Sequence, residues 1–149
     1  MTLKKNESIP DDNHIVRRVS WANLLKDEDN NVLGILPQAF KMKDTENELS
    51  ANWLEYFPGS FNQQVVSVVQ EIRKRVAVKP KSGFAIGKVG EIKNMCKIKG
   101  YKTRIVYSNS SQNPSHVDIC LYPREDMELF ELLATEAWSH LVLNNSVPT

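Results

Sequence analysis

YKTRIVYSNSSQNPSHVDICLYP, residues 101–123, reads as two alternating strand-like runs joined by a polar loop rich in Ser, Asn and Pro. Side chains two apart share one face of a strand, so the second run aims His116, Asp118 and Cys120 in one direction. An imidazole, a carboxylate and a thiol on one face, directly after a loop, make a candidate site. The run also leads into an apolar, helix-like segment, which gives it an equally direct role in a sheet.

Upstream lies the most regular helical pattern. Phe61, Val65, Val68, Val69, Ile72 and Val76 recur at spacings of three and four, with Ser60 or Asn62 available as a cap. Arg73, Lys74 and Arg75 suit the negative end of that helix, a structural reason for their charge. Downstream, a second helix is expected over residues 124–143, with Pro123 at its entrance and Glu125, Asp126 and Glu128 in its first turn. Met127, Phe130, Leu133 or Ala134, Ala137 and Leu141 would form its buried stripe.

HIVRRVSW, from His14, is expected to be a strand, although its apolar and charged residues do not alternate cleanly. Residues 83–100 fit either a strand followed by a short helix ending at Gly100, or one longer bent strand. The expected fold is α+β: an antiparallel or mixed sheet of four to five short strands with two main amphipathic helices packed on one face. Residues 14–143 would form the single domain, with flexible tails at 1–13 and 144–149.

A chain of 149 residues can bury a core without disulfides or metals, and 41% hydrophobic with 25% charged residues fits an ordinary globular domain. The two cysteines, Cys96 and Cys120, lie in partly apolar segments and read as reduced, buried thiols, so a cytoplasmic location is expected. No stretch has the length and apolarity of a membrane span or a signal peptide. Net charge is +1 but unevenly placed. From Arg73 to Arg104 there are eleven basic residues against one acid, Glu91, which sets that window at +10 and the remainder at −9. An acidic partner for the middle of the chain follows, whether nucleic acid, a protein or the chain's own acidic ends.

Three chemistries compete. His14 and His116, with Asp118 and Arg17 or Arg18, supply the residue types of a general base and an anion-stabilising group. Their structural alternative is local hydrogen bonding by single histidines. Zinc would need Cys96, His116, Cys120 and a fourth ligand, but the paired-cysteine spacing of closed sites is missing and no metal is expected. Asp27 to Asn31 likewise lacks the spacing of a calcium loop, and the glycines at 83, 87 and 90 match no phosphate-binding fingerprint, so no cofactor is expected. The third chemistry is macromolecule binding through Lys93, Lys97, Lys99, Lys102 and Arg104, with Phe84, Tyr101 or Tyr107 available to stack on a base. Trp53, Leu54, Tyr56 and Phe57 are too many large apolar groups to leave in water and are expected in the core.

HIVRR at 14–18, ELSANWLEYF at 48–57, FAIGKVGEI at 84–92 and NPSHVDI at 113–119 together resemble a pattern found in small uncharacterised bacterial cytosolic proteins. The resemblance implies a prokaryotic accessory protein and assigns no role to any residue. The expected function is therefore a non-enzymatic interaction module that binds a protein or nucleic acid through the basic central surface. The alternative is a small His-dependent hydrolase or phosphodiesterase acting on a phosphate-containing substrate.

Overall fold

The computed structural model describes residues 3–149. In chain order the elements are β1 (His14–Val19), β2 (Leu24–Lys26), β3 (Val32–Ile35), β4 (Leu49–Trp53), α1 (Phe61–Arg75), β5 (Gly83–Lys88) and α2 (Val89–Ile98). They continue with β6 (Arg104–Tyr107), β7 (His116–Cys120), α3 (Met127–Leu132) and β8 (His140–Leu143). The class is α+β, as the patterns suggest. The sheet, however, has six strands, ordered β6-β7-β4-β1-β5-β8 with every neighbouring pair antiparallel, and β2 with β3 forms a separate two-stranded ribbon. Four to five strands were too few because β8 was read as helix and the sequence of β4, which begins in a charged stretch resembling a surface loop, did not announce a strand.

β8 falls within the second expected helix. Residues 124–143 do not form one helix: α3 ends at Leu132, and Leu133–Ala137 widens into a π-turn in which the Trp138 N–H bonds the Leu133 carbonyl at 2.8 Å. The chain then leaves helical geometry at Trp138 (φ −93°, ψ 61°) and becomes extended. Strand periodicity explains HLVL better than helical periodicity does. Leu141 lies opposite Ala85 and Leu143 opposite Gly83, while Val142 lies opposite Phe84 on the other face.

Both faces of the sheet are covered, not one. Val65, Val68, Val69 and Ile72 of α1 pack against Val16, Leu54, Phe84 and Ile86. On the opposite face α2 and α3 cover Ile15, Val19, Ala85, Ala51, Val117 and Ile119. A strand buried on both faces need not alternate, which accounts for the irregular HIVRRV and for the nearly continuous burial of GFAIGK.

Local chemistry fixes the helix ends. Ser60 and Gln63 form a reciprocal capping box, with the Ser60 Oγ accepting the Gln63 N–H and Gln63 Oε1 accepting the Ser60 N–H. The first amides of α2 are taken by carbonyls from just before β1, Val89 N–H to Asn13 O and Gly90 N–H to Asp11 O, both 2.9 Å. A Cβ on Gly90 would lie 3.1 Å from that Asp11 carbonyl, so close approach explains the glycine. At the other end Gly100 (φ +92°) adopts the left-handed conformation that stops α2.

The segments expected as tails make defined contacts. Ser8 bridges Val106 in antiparallel fashion, and Ile9 is buried with its N–H on the Ile105 carbonyl. At the C-terminal end, the Arg73 guanidinium donates to Asn144 Oδ1 and to the Asn144, Val147 and Pro148 carbonyls, and Val147 is buried under α1. The positive charge of Arg73 thus has a structural use beyond the helix dipole.

Trp138 anchors the turn from α3 to β8: it is 1% exposed and stacks on Phe40 with ring centroids 5.2 Å apart. Trp138→Ala should destabilise the protein by about 3–5 kcal/mol, read from the urea midpoint at unchanged m-value. A loss below about 1 kcal/mol would mean that this ring does not hold β8 in place.

Candidate anion-binding cleft

β1 pairs unequally with its two neighbours. Six residue pairs join it to β5, from His14↔Lys88 to Val19↔Gly83, but only Ile15↔Trp53 and Val16↔Asn52 join it to β4. Beyond Val16 the two strands part, while β4 stays zipped to β7 from Asn52↔His116 to Leu49↔Ile119. A polar cleft of about 600 Å³ opens at this fork. Ligand sites of small molecules fall in that size range.

Arg17 stands in the fork. Its Nη1 donates to the Ser50 carbonyl at 2.5 Å and its Nη2 to the Ala39 carbonyl at 2.9 Å, so the guanidinium replaces backbone ladder bonds that the parted strands do not make. Its Nε is shut off from solvent and has no hydrogen-bond partner. Burial lowers the Arg17 pKa from its ordinary value, offset in part by the Tyr122 and Glu46 charges.

Arg75, at the end of α1, repeats the situation from the opposite wall. Its Nε is also buried and unpartnered, and its one side-chain bond is a long 3.4 Å contact from Nη2 to Asn52 Oδ1. Partial burial lowers its pKa as well, offset in part by the Glu71 charge. Among the described residues no carboxylate lies within 4 Å of the guanidinium of Arg17, Arg18 or Arg75. Lys41 and Lys43 complete the five cations of the lining, against one carboxylate, Glu46.

Neutral polar groups sit between the charges. Asn52, in the otherwise apolar stretch ANWL, is 7% exposed and donates from Nδ2 to Asn113 Oδ1 and to Ser115 Oγ, each at 2.8 Å. His116 lies directly across from it on β7 and also lines the cleft. The His116 Nδ1 is 3.0 Å from the Ser108 carbonyl, which can only accept, so Nδ1 carries the proton of the neutral ring. Nε2 is then the bare nitrogen, 3.6 Å from Asp118 Oδ1.

Of the four residues suggested for a catalytic group, Arg17 and His116 meet in the cleft and Asp118 adjoins His116. His14 serves elsewhere. Glu55 accepts its backbone N–H at 2.7 Å and its ring Nδ1–H at 2.6 Å, and its ring meets the edge of Phe61, which also packs against His140. His14 and His140 line a separate small pocket beside Lys88. Cys96 is buried under the face covered by α2, whereas Cys120 shares the opposite face with His116, so the two thiols do not converge. Burial raises the pKa of both, the mark of unreactive thiols. Among the described residues no three His, Cys, Asp or Glu side chains are placed to share a metal ion.

The basic window meets the chain's own acids. Lys93 pairs with Asp11 and Lys99 with Glu128, each at 2.7 Å, while Lys97, Lys102 and Arg104 are exposed without an acid within 4 Å among the described residues. The stacking rings are engaged inside: Phe84 is fully buried, Tyr107 is 6% exposed with its hydroxyl on the Pro114 carbonyl, and the Tyr101 hydroxyl donates to Asp126. Trp53 and Leu54 are buried as expected, and Tyr56 is the exposed member of that aromatic run. Among the described residues no helix is long and apolar enough to cross a membrane.

Arg18, Asn52, Arg75 and Asn113 had been given no place in a paired site, or only a passing one. Two of them carry a signal: Arg18 as one of two adjacent arginines inside an apolar strand, and Asn52 as an asparagine between Ala51 and Trp53, whereas nothing local marks Arg75 or Asn113. Comparison with protein-family models, with curated proteins and with solved structures gives no match to this chain.

Arg75 is half-buried and poorly bonded, so it does little for the fold. Arg75→Met should change stability by no more than about 1 kcal/mol, in the stabilising direction, as judged by chemical denaturation. A loss above about 2 kcal/mol would show instead that Arg75 is a structural strut.

Proposed function

We propose that the protein is a ligand-binding accessory module that takes a phosphate-bearing anion in the cleft between β1 and β4. The observation that carries this reading is the pair of partly buried guanidiniums, Arg17 and Arg75, each with its Nε shut off from solvent, which face one cleft with no carboxylate within 4 Å among the described residues. A buried cation without a counter-charge is costly, and an anion with several acceptor oxygens offsets that cost through charge-assisted hydrogen bonds. The exposed Lys97, Lys102 and Arg104 would then contribute attraction at long range more than recognition.

A second reading, hydrolysis of a phosphate ester, draws support from one feature. His116 lines the same cleft with a fixed tautomer, and its Nε2 beside Asp118 is free to accept a proton. In that case His116→Gln would stop release of inorganic phosphate from a bound ester, a loss far larger than any weakening of binding.

Calorimetric titration with inorganic pyrophosphate tests the binding reading. The expected outcome is binding that weakens with added salt and falls by about tenfold or more in Arg18→Gln/Arg75→Gln. Lys97→Glu/Lys102→Glu should shift it by no more than about threefold. If the second variant loses binding and the first keeps it, the recognition surface is the α2–β6 face and the cleft assignment is wrong.

A further inference from the structure

We infer that the outer edge of β8 is a self-association surface, on which a second copy of this chain adds its own β8 antiparallel to the first. The two ends of the six-stranded sheet are finished differently. At the β6 end the segment before β1 covers the edge. There the Tyr107 N–H bonds the Glu7 carbonyl at 2.8 Å, and the Asn6 and Ile9 N–H groups bond the Tyr107 and Ile105 carbonyls at 2.7 and 3.0 Å. At the other end β8 has a neighbour on one side only.

Register shows which backbone groups of β8 are free. The Asn144 N–H bonds the Ser82 carbonyl at 2.8 Å, so by the alternation of an antiparallel ladder Val142 and His140 also turn their peptide groups to β5. The N–H and C=O of Leu141 and the N–H of Leu143 then point away from the sheet, and among the described residues nothing bonds them. The Leu143 carbonyl accepts the Ser146 hydroxyl at 2.7 Å. An open row of this kind is a template for another strand, and edges that stay single carry a charge, a Pro or a bulge. Residues 139–143, SHLVL, contain no Lys, Arg, Asp, Glu or Pro and pair with β5 in unbroken register.

The occupant follows from what flanks this edge. Grooves lie beside β8 on both faces of the sheet. One of about 540 Å³, with the exposed Leu25 and Leu33, lies on the face of Leu141 and Leu143. One of about 210 Å³, between Phe61, Val66 and Val147, lies on the face of Val142. A strand added here must be apolar on both faces and bulkier on the first. β8 itself fits, because a twofold axis perpendicular to the sheet keeps each face on its own side. The leucines of the incoming strand then come to the larger groove and its valine to the smaller. With the axis at Leu141, the two Leu141 residues exchange both backbone bonds, at the one β8 position where N–H and C=O are both free. Twofold pairing of an uncharged strand also sets no like charges opposite one another. A four-residue edge alone falls short of the about 1,200 Å² that a stable interface buries, and the exposed Leu25, Leu33 and Phe61 extend the apolar patch on either side of it. Because residues 6–9 close the opposite edge, association ends at two copies.

Light scattering on the eluting full-length chain should give twice its 17.0 kDa mass at about 200 μM and move towards the single mass on dilution. Leu25→Glu/Leu33→Glu, at exposed positions of the ribbon, should weaken association by about tenfold or more. Leu141→Pro removes an N–H that β5 does not use and should do the same, so each variant tests the surface if the other folds poorly. In hydrogen exchange the Leu141 amide should exchange about tenfold or more slowly in the dimer than in the diluted monomer, whereas the Val142 amide is protected in both. A chain that stays monomeric at about 200 μM would overturn the two-copy assignment and leave this edge to a strand from another protein. A dimer that survives both variants, or one in which Leu141 exchanges as fast as in the monomer, would overturn it in favour of an interface elsewhere. Species larger than two copies would overturn the twofold.

Discussion

The Arg17 guanidinium occupies the place where the ladder between β1 and β4 would otherwise continue. Peptide groups inside a sheet must be paired, and parting two central strands leaves carbonyls in want of a donor. Arg17 supplies it to Ser50 and at the same time fastens the turn that carries Ala39. The sheet can open at its middle because β1 remains fully paired with β5 and β4 with β7. The two halves share one core face under α2 and α3, and the fork between them is a polar region at the middle of the sheet.

Much of this architecture is legible in local patterns. The three-and-four spacing of Phe61 to Val76 gives α1, Gly100 marks the end of α2, and the alternation within residues 101–123 gives β6 and β7 with their loop. β8 is not legible, since Ala137 and Leu141 continue the stripe of α3 at helical spacing and nothing local announces the π-turn at Leu133–Ala137. That turn is selected by tertiary packing: Phe40 stacks on Trp138, and Gly87 leaves room for the indole, which a Cβ there would approach to 3.0 Å. Coverage of both sheet faces is hidden for a related reason. Double burial erases the alternation that would have announced each strand.

The site was legible by residue type and not by grouping. His116 and Arg17 stand out as chemistry-bearing residues, and both line the cleft. Their partners come from far along the chain: Asn52 joins Asn113 across 61 positions, and Arg75 reaches Asn52 across 23. No periodicity encodes such pairings. The helix-dipole explanation of Arg73, Lys74 and Arg75 is sound for the triplet as a group, yet it conceals three different fates. Arg73 ties down the C-terminal segment, Lys74 pairs with Glu71 on the surface, and Arg75 turns into the cleft. In the basic window, two of the five selected cations are matched by Asp11 and Glu128, pairings that charge counting along the chain does not specify.

Magnitudes decide which of these charges carries information. An exposed pair such as Lys93–Asp11 contributes about 0.2–1 kcal/mol, and its loss would hardly register. A desolvated guanidinium that lacks a counter-charge belongs to a different class, with a penalty of roughly several kcal/mol before compensation. Arg17 recovers part of that through two carbonyl hydrogen bonds that the fold needs in any case. Arg75 is only partly buried and feels the charge of Glu71, so its penalty is smaller, but its side chain makes one long contact in return. A leucine or methionine at that position would fill the same wall against Ile72 and Val76 at lower cost. The dipole of α1 accounts for a cation at that position, and an anion in the cleft would engage the guanidinium N–H groups that the folded chain leaves unused.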